Sequence, residues 1–222
     1  MTNERLILHL KKGVCVLRSP RLEEAFRTVD RKFFVPRTLQ SEAYGDYPLS
    51  IGSGATISQP STVAFMLEKL NVQEGHKVLD IGSGSGWTTA LLFYLVGRKG
   101  SVIGLEIVPE LVKLGQKNIR DWYSVILKNN RMRITAVPEI QQASRGVVGL
   151  PSGGPFDRIL VSAAAREIPP GLMSQLTQDG ILVMPVGREG EIQKIVRIHK
   201  KSDASLEAEE YPGFVFVPLR SF

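Results

Sequence analysis

The chain has 222 residues, 43% hydrophobic and 23% charged, with a net charge of +6 and a pI near 9.5. That length suffices for one sizeable core and is short for two domains, and the composition excludes a disordered chain. A single cysteine, Cys15, rules out an intrachain disulfide. With His9, His76 and His199 far apart in sequence, a four-ligand zinc site or a histidine-based hydrolytic triad is hard to build. Chemistry without a metal is expected.

No apolar run reaches the ~18 residues that cross a bilayer. The start, Met1-Thr2-Asn3-Glu4-Arg5, lacks the pattern of a signal peptide, so a cytoplasmic address without membrane association is expected. The basic residues fall mostly in scattered pairs: Lys11-Lys12, Arg31-Lys32, Arg98-Lys99 and Lys200-Lys201. A looser group is Lys128, Arg131 and Arg133. A nucleic-acid footprint requires clustering; these read as solvated faces, and no specific nucleic-acid partner is expected.

The first third reads as interrupted helix. Ser19-Pro20 combines a capping hydroxyl with proline at the first helical position, opening a helix to about Asp30. Residues 44–57 carry three glycines and a proline and read as loop. A helix follows from about Gln59 to Leu70, with Ser58 in the capping position. From residue 77 short apolar strands alternate with helices: Lys77–Ile81, a helix Trp87–Val96, Ser101–Glu106, and a helix opening at Pro109. Further strands are expected at Arg131–Val137, Arg158–Ser162 and Ile181–Val186, then Gln193–His199 and Phe214–Pro218. Such alternation predicts an α/β fold, a doubly wound, Rossmann-like and mostly parallel sheet. Residues 141–155, rich in Gly and Ser, read as a mobile loop. Trp87 and Phe93 read as core, and Cys15 as a small apolar residue.

Between the first of these strands and its helix stands Asp80-Ile81-Gly82-Ser83-Gly84-Ser85-Gly86. Glycines there let the backbone turn tightly and a ligand approach main-chain atoms, while the helix behind presents free N–H groups. Glu106 ends the next strand, 24 positions after Gly82, where an acidic side chain accepts hydrogen bonds from ribose hydroxyls. The nicotinamide fingerprint is G-x-G-x-x-G, whereas this chain has G-x-G-x-G after Asp80. A negative charge there suits a cationic ligand bearing an ammonium and a sulfonium better than a pyrophosphate.

Several segments together resemble the protein-L-isoaspartate (D-aspartate) O-methyltransferase family. They are Val29-Asp30-Arg31-Lys32-Phe33-Phe34-Val35-Pro36, Tyr44–Leu49, Gly54-Ala55-Thr56-Ile57-Ser58-Gln59-Pro60 and Val78–Gly86. Phe156–Ile159, Ala163–Ala165, Ile168-Pro169, Leu182–Gly187 and Phe216-Val217-Pro218-Leu219 follow in order. The resemblance implies a class I methyltransferase fold with an N-terminal helical segment and a C-terminal tail. It implies one domain over 1–222: residues 1–58 as helical segment and active-site loop, 59–200 as cofactor core, and 201–222 as substrate-side tail. The implied reaction is methyl transfer from S-adenosylmethionine to the free carboxylate of isoaspartyl residues in damaged proteins and peptides, leaving S-adenosylhomocysteine, and a monomer is expected. Carried over, Ser58 is the active-site hydroxyl. Ala55, Thr56, Ile57, Asp80, Gly82, Ser83, Gly84, Gly86 and Glu106 bind the cofactor, and Thr56, Ser58, Phe216 and Val217 the substrate. The family's Gly-Asp-Gly after the third strand aligns with Val137-Pro138-Glu139-Ile140, making Glu139 the substitute on the adenine side.

A carboxylate is already ionised at neutral pH, so the reaction needs alignment and exclusion of water rather than a base. Ser58 reads either as a helix cap alone or as a cap that also aims the substrate; Asp46 reads as a turn residue or part of a lid. Rival readings are a nucleic-acid methyltransferase, an enzyme acting on a special carboxylate of a modified peptide, and a non-catalytic relative. The segment Ser162-Ala163-Ala164-Ala165 lacks an Asp/Asn-Pro-Pro-aromatic motif, which counts against the first.

Overall fold

The computed structural model describes residues 1–128 and 137–220. Helix α1 (Asn3–Leu8) and α2 (Pro20–Thr28) open the chain. As the Ser19-Pro20 signal requires, Ser19 Oγ accepts from the Leu22 amide at 3.4 Å and Pro20 takes the first turn. Residues expected to be loop instead form a hairpin, β1 (Leu49–Gly52) and β2 (Ala55–Ile57), whose turn residues Ser53 and Gly54 sit at φ 53° and 69°. Two consecutive left-handed residues match the twist of a two-residue hairpin turn. Helix α3 (Pro60–Leu70) follows.

The main sheet then begins: β3 (Lys77–Ile81), α4 (Trp87–Val96), β4 (Ser101–Glu106), α5 (Pro109–Lys128), β5 (Glu139–Gln142), β6 (Phe156–Val161), α6 (Pro170–Met173), β7 (Leu176–Val186), β8 (Gln193–Lys200) and β9 (Leu206–Phe214). Its order is β5-β4-β3-β6-β7-β8-β9; the first five strands are parallel, and β8 and β9 antiparallel. The central strands are buried on both faces, as parallel strands under helical layers are. Side-chain alternation sends Val78 toward the large core with α2, α3 and α4, and Leu79 and Ile81 toward the smaller core around Leu172 and Leu176. The chain adds strands to one side of β3 and then, with β6, to the other. This reversal opens a crevice at the C-terminal strand ends.

Three expectations need correction, and a fourth lies mostly beyond the described residues. The strand expected at Arg131–Val137 falls mostly outside the described residues, and the strand that pairs with β4 is Glu139–Gln142. The last strand is Leu206–Phe214, not Phe214–Pro218; it is mostly exposed, and only Tyr211 and Phe214 pack against the core, so its apolar pattern in sequence is faint. The loop to 155 is pinned from within: buried Gln175 accepts from the Leu150 amide at 2.7 Å and donates to Val148 O at 2.8 Å and Gly171 O at 2.7 Å. Cys15, read as a small apolar residue, is exposed in a turn at φ 55°. Among the described residues no helix is long and apolar enough to cross a membrane.

Candidate cofactor and substrate site

The crevice holds a cavity of about 890 Å³, its solvent-open mouth included. Its floor is the end of β3 with Gly82, Ser83 and Gly84; one wall is Glu106 with Ile107, Val108 and Leu111; the other is Ser162 and Ala163 at the end of β6. The hairpin strand β2, with Ala55, Thr56, Ile57 and then Ser58, closes it from above. The glycine turn is built by backbone pairing: the Gly82 and Ser83 amides both donate to Leu105 O, at 2.8 and 3.0 Å.

Glu106 is 7% exposed. Its Oε2 accepts from the Gly84 amide at 3.0 Å and its Oε1 from the Val108 amide at 3.0 Å. A carboxylate accepts about four hydrogen bonds, so it fixes the turn and still has lone pairs for a vicinal diol. Ser83 Oγ is buried without a partner in the lining of the cavity. A buried hydroxyl left unpaired is costly and is satisfied by a polar ligand group. The aliphatic wall of Ile107, Val108 and Leu111 suits a flat apolar base. The residues present therefore fit an adenosyl cofactor.

Other expected cofactor residues lie elsewhere. Asp80 is fully buried beneath α4 and does not line the cavity; its Oδ2 accepts from Thr88 Oγ1 at 2.8 Å and Thr89 Oγ1 at 2.6 Å. Burial pushes its carboxyl up to about 6 against the pull of the two threonines, with the neighbouring Glu106 adding to the rise. Its influence on a cationic ligand is through its field rather than contact. Gly86 faces α5: at φ 87°, a Cβ there would meet Gly115 O at 3.0 Å, so this glycine serves helix packing. Glu139 opens β5 opposite Ile103, three residues before the Glu106–Gln142 pairing, and so about 10 Å short of the strand ends. It is exposed and takes a hydrogen bond from Gln141 Nε2 at 3.2 Å. Ala143, just past β5, is what reaches the cavity.

An open groove continues from the cavity past the hairpin, lined by Ser58, Gln59, Thr62, Phe214, Phe216 and Val217 among others. Thr56, Ser58 and Val217 line both spaces. The C-terminal segment is held in place by main-chain pairing. Ala164 N donates to Val217 O at 2.9 Å, Leu219 N donates to Ala164 O at 2.8 Å, and Phe216 N donates to Gln193 Oε1 at 2.7 Å.

Ser58 does not cap α3. The capping position is Gln59, which makes no side-chain cap bond. The Ser61 amide is taken instead by Asp46 Oδ1 at 2.9 Å, while Asp46 Oδ2 lies 3.1 Å from His9 Nε2. The hydroxyl of Ser58 is thereby released from a structural duty. Its carbonyl is held by Arg31, a residue that reads in sequence as half of a solvated basic pair but is 1% exposed. From Nη1 it donates to Ala43 O at 2.8 Å and Gly45 O at 3.3 Å. From Nη2 it donates to Tyr47 O at 3.1 Å, Ile57 O at 3.4 Å and Ser58 O at 3.1 Å. Its guanidinium stacks over Trp87 at 5.3 Å. Burial pulls it down to about 10, opposed by the charge of Asp46. Arg31 thus gathers both ends of the loop that carries Ser58; in sequence only the loop's length and polarity hinted that something must hold it.

A parallel sheet reversing at β3, with a glycine turn and an acidic strand end facing one cavity, is a class I methyltransferase fold. The model of the family described as protein-L-isoaspartate (D-aspartate) O-methyltransferase matches residues 1–222. A protein-L-isoaspartate O-methyltransferase from Methanopyrus kandleri is 39% identical over 216 residues, covering 97% of this chain and 90% of the relative. One from Fervidobacterium nodosum is 40% identical over 202 residues, covering 91% and 94%. The crystal structure of a Plasmodium falciparum protein described as a putative member, in complex with S-adenosyl-L-homocysteine, matches with a TM-score of 0.83 at 27% identity over 99% of both chains. The chain belongs to the protein-L-isoaspartate (D-aspartate) O-methyltransferase family.

Proposed function

We infer that this protein transfers a methyl group from S-adenosylmethionine to the free α-carboxylate of L-isoaspartyl residues in damaged proteins and peptides. The observation that carries the reading is the sharing of Thr56 and Ser58 between the cavity and the groove. A donor in the first and a peptide carboxylate in the second meet at these two hydroxyls. When bound, the cofactor supplies an electrophilic methyl on a sulfonium. Glu106 and Ser83 hold its adenosyl portion, and the glycine turn admits it close to the backbone. Ser58, freed from capping, donates a hydrogen bond to one carboxylate oxygen and aims the other at the methyl carbon. The new O–C bond forms as the C–S electrons return to sulfur, leaving a methyl ester and a thioether with no proton to move. The hairpin and the segment 217–219 keep water from the reacting atoms. Alignment of this kind accounts for roughly 7–11 kcal/mol in well-oriented reactions. The ester then collapses without the enzyme to a succinimide, which reopens partly to aspartate.

Incubation with methyl-labelled S-adenosylmethionine and a matched pair of isoaspartyl and aspartyl peptides tests this. Label in the isoaspartyl peptide alone is expected; equal labelling of both, or preferential labelling of RNA or DNA, refutes it.

A further inference from the structure

Resting on that reading, we propose that Arg220 is the specificity-determining anchor for the substrate's α-carboxylate. Arg220 lines both the cavity and the groove, at their junction, together with Ser58 and Val217. Among the described residues it is the one cation lining either space; the remaining charges are Glu106 in the cavity, engaged with two backbone amides, and Glu189 in the groove. No carboxylate of a described residue lies within ion-pair distance of it. Its single hydrogen bond among the described residues runs from Nη2 to Ser53 O at 2.8 Å, at the tip of the β1–β2 hairpin. A Cβ on Gly54 would come 2.8 Å from Nη2, so the guanidinium is seated against this glycine's backbone. A guanidinium has five N–H donors, and the fork suited to carboxylate recognition is held by one of them with the others unspent.

The chemistry decides what such a cation contributes. Methyl transfer joins a carboxylate and a sulfonium into a neutral ester and a neutral thioether, so negative charge disappears toward the transition state. A cation hydrogen-bonded to the acceptor is strongest in the ground state. Arg220 therefore captures substrate and does not accelerate the bond-making step. It sets KM and leaves kcat to alignment by Ser58. Its attraction is also screened by salt, because the side chain is exposed.

The test is steady-state kinetics of Arg220→Gln and Arg220→Lys with an isoaspartyl peptide whose flanking residues are uncharged. Gln keeps an N–H for Ser53 O and drops the charge. For Arg220→Gln we expect KM to rise about tenfold while kcat stays level or rises. The rise of KM with salt from about 0.05 to about 0.5 M, present in the wild type, should vanish. Arg220→Lys should keep the salt dependence. Unchanged KM in Arg220→Gln, or a fall in kcat at constant KM, overturns the proposal and makes Arg220 a tether for the hairpin. A loss seen only with peptides carrying acidic flanks also overturns it, assigning the cation to a neighbouring side chain. Failure of the wild-type protein to methylate the peptide refutes the functional reading itself, and the anchor with it.

Discussion

Replacing Arg31 by Met removes every donor that gathers residues 43–58 while keeping much of the volume. Three of its five bonds are short, 2.8–3.1 Å, and charge-assisted bonds of that kind contribute about 2 kcal/mol each. The two longer ones add little. Against this stands the cost of burying the cation. The fall of its pKa to about 10 corresponds to about 3 kcal/mol. The net loss is then about 3 kcal/mol, or roughly 6–12 °C in Tm for a chain of this size. Because the carbonyls belong to one loop, amide exchange of residues 43–58 should rise before that of β3 and β4. Peptide methylation should fall with Ser58 misplaced, while affinity for the cofactor product falls less, since Glu106 and Ser83 lie outside the loop. The assay pairs thermal melting and hydrogen exchange with peptide turnover. Melting within about 2 °C of wild type, with turnover intact, would show that the buried guanidinium does not hold the loop.

Ser58→Ala should leave Tm unchanged and remove most of the peptide methylation, whereas Asp46→Ala should cost about 1 kcal/mol through loss of the α3 cap; the reverse pattern in melting would restore Ser58 as the cap. Asp80 has a folded-state pKa of about 6, above its ordinary 3.8, so its contribution to stability is fully present below pH 3.8 and lost as pH rises through 6. Asp80→Asn should abolish that fall, at most about 3 kcal/mol, in denaturant titrations from pH 4 to 7; an unaltered pH profile would contradict a buried titrating carboxyl. Glu106→Ala should weaken binding of S-adenosylhomocysteine at least about tenfold by calorimetry, and unchanged affinity would remove it from the site.

Where chemistry and burial coincide in a short run, the chain declares itself. Lys77–Ile81 and Ser101–Glu106 are apolar because they are buried on both faces, and the glycine turn between strand and helix sits where its spacing predicts. What stayed hidden depends on partners distant in sequence. The hairpin at 49–57 is too short and too rich in Ser and Gly to alternate, and its position comes from Arg31 donating to Ile57 O and Ser58 O. Arg31 itself is adjacent to Lys32, and nothing local distinguishes a buried arginine from a solvated one. Glu139 is acidic and close to the right place in sequence, but the register Ile103↔Glu139 holds it away from the strand ends. Leu206–Phe214 carries Glu207, Glu209 and Glu210, and their partners are the distant cations Lys201, Arg197 and Lys194.

Arg31 grips main-chain oxygens only. Every residue from Ala43 to Ser58 offers a carbonyl whatever its side chain, so the grip is blind to point substitution along the loop and sensitive to its length. Loop side chains other than Asp46, Gly54, Thr56 and Ser58 can diverge while the loop's geometry is inherited intact, and a one-residue insertion would do more harm than several replacements. New acceptor preferences can thus be drafted on this loop by exchange of side chains alone, without renegotiating how it is fastened to the core.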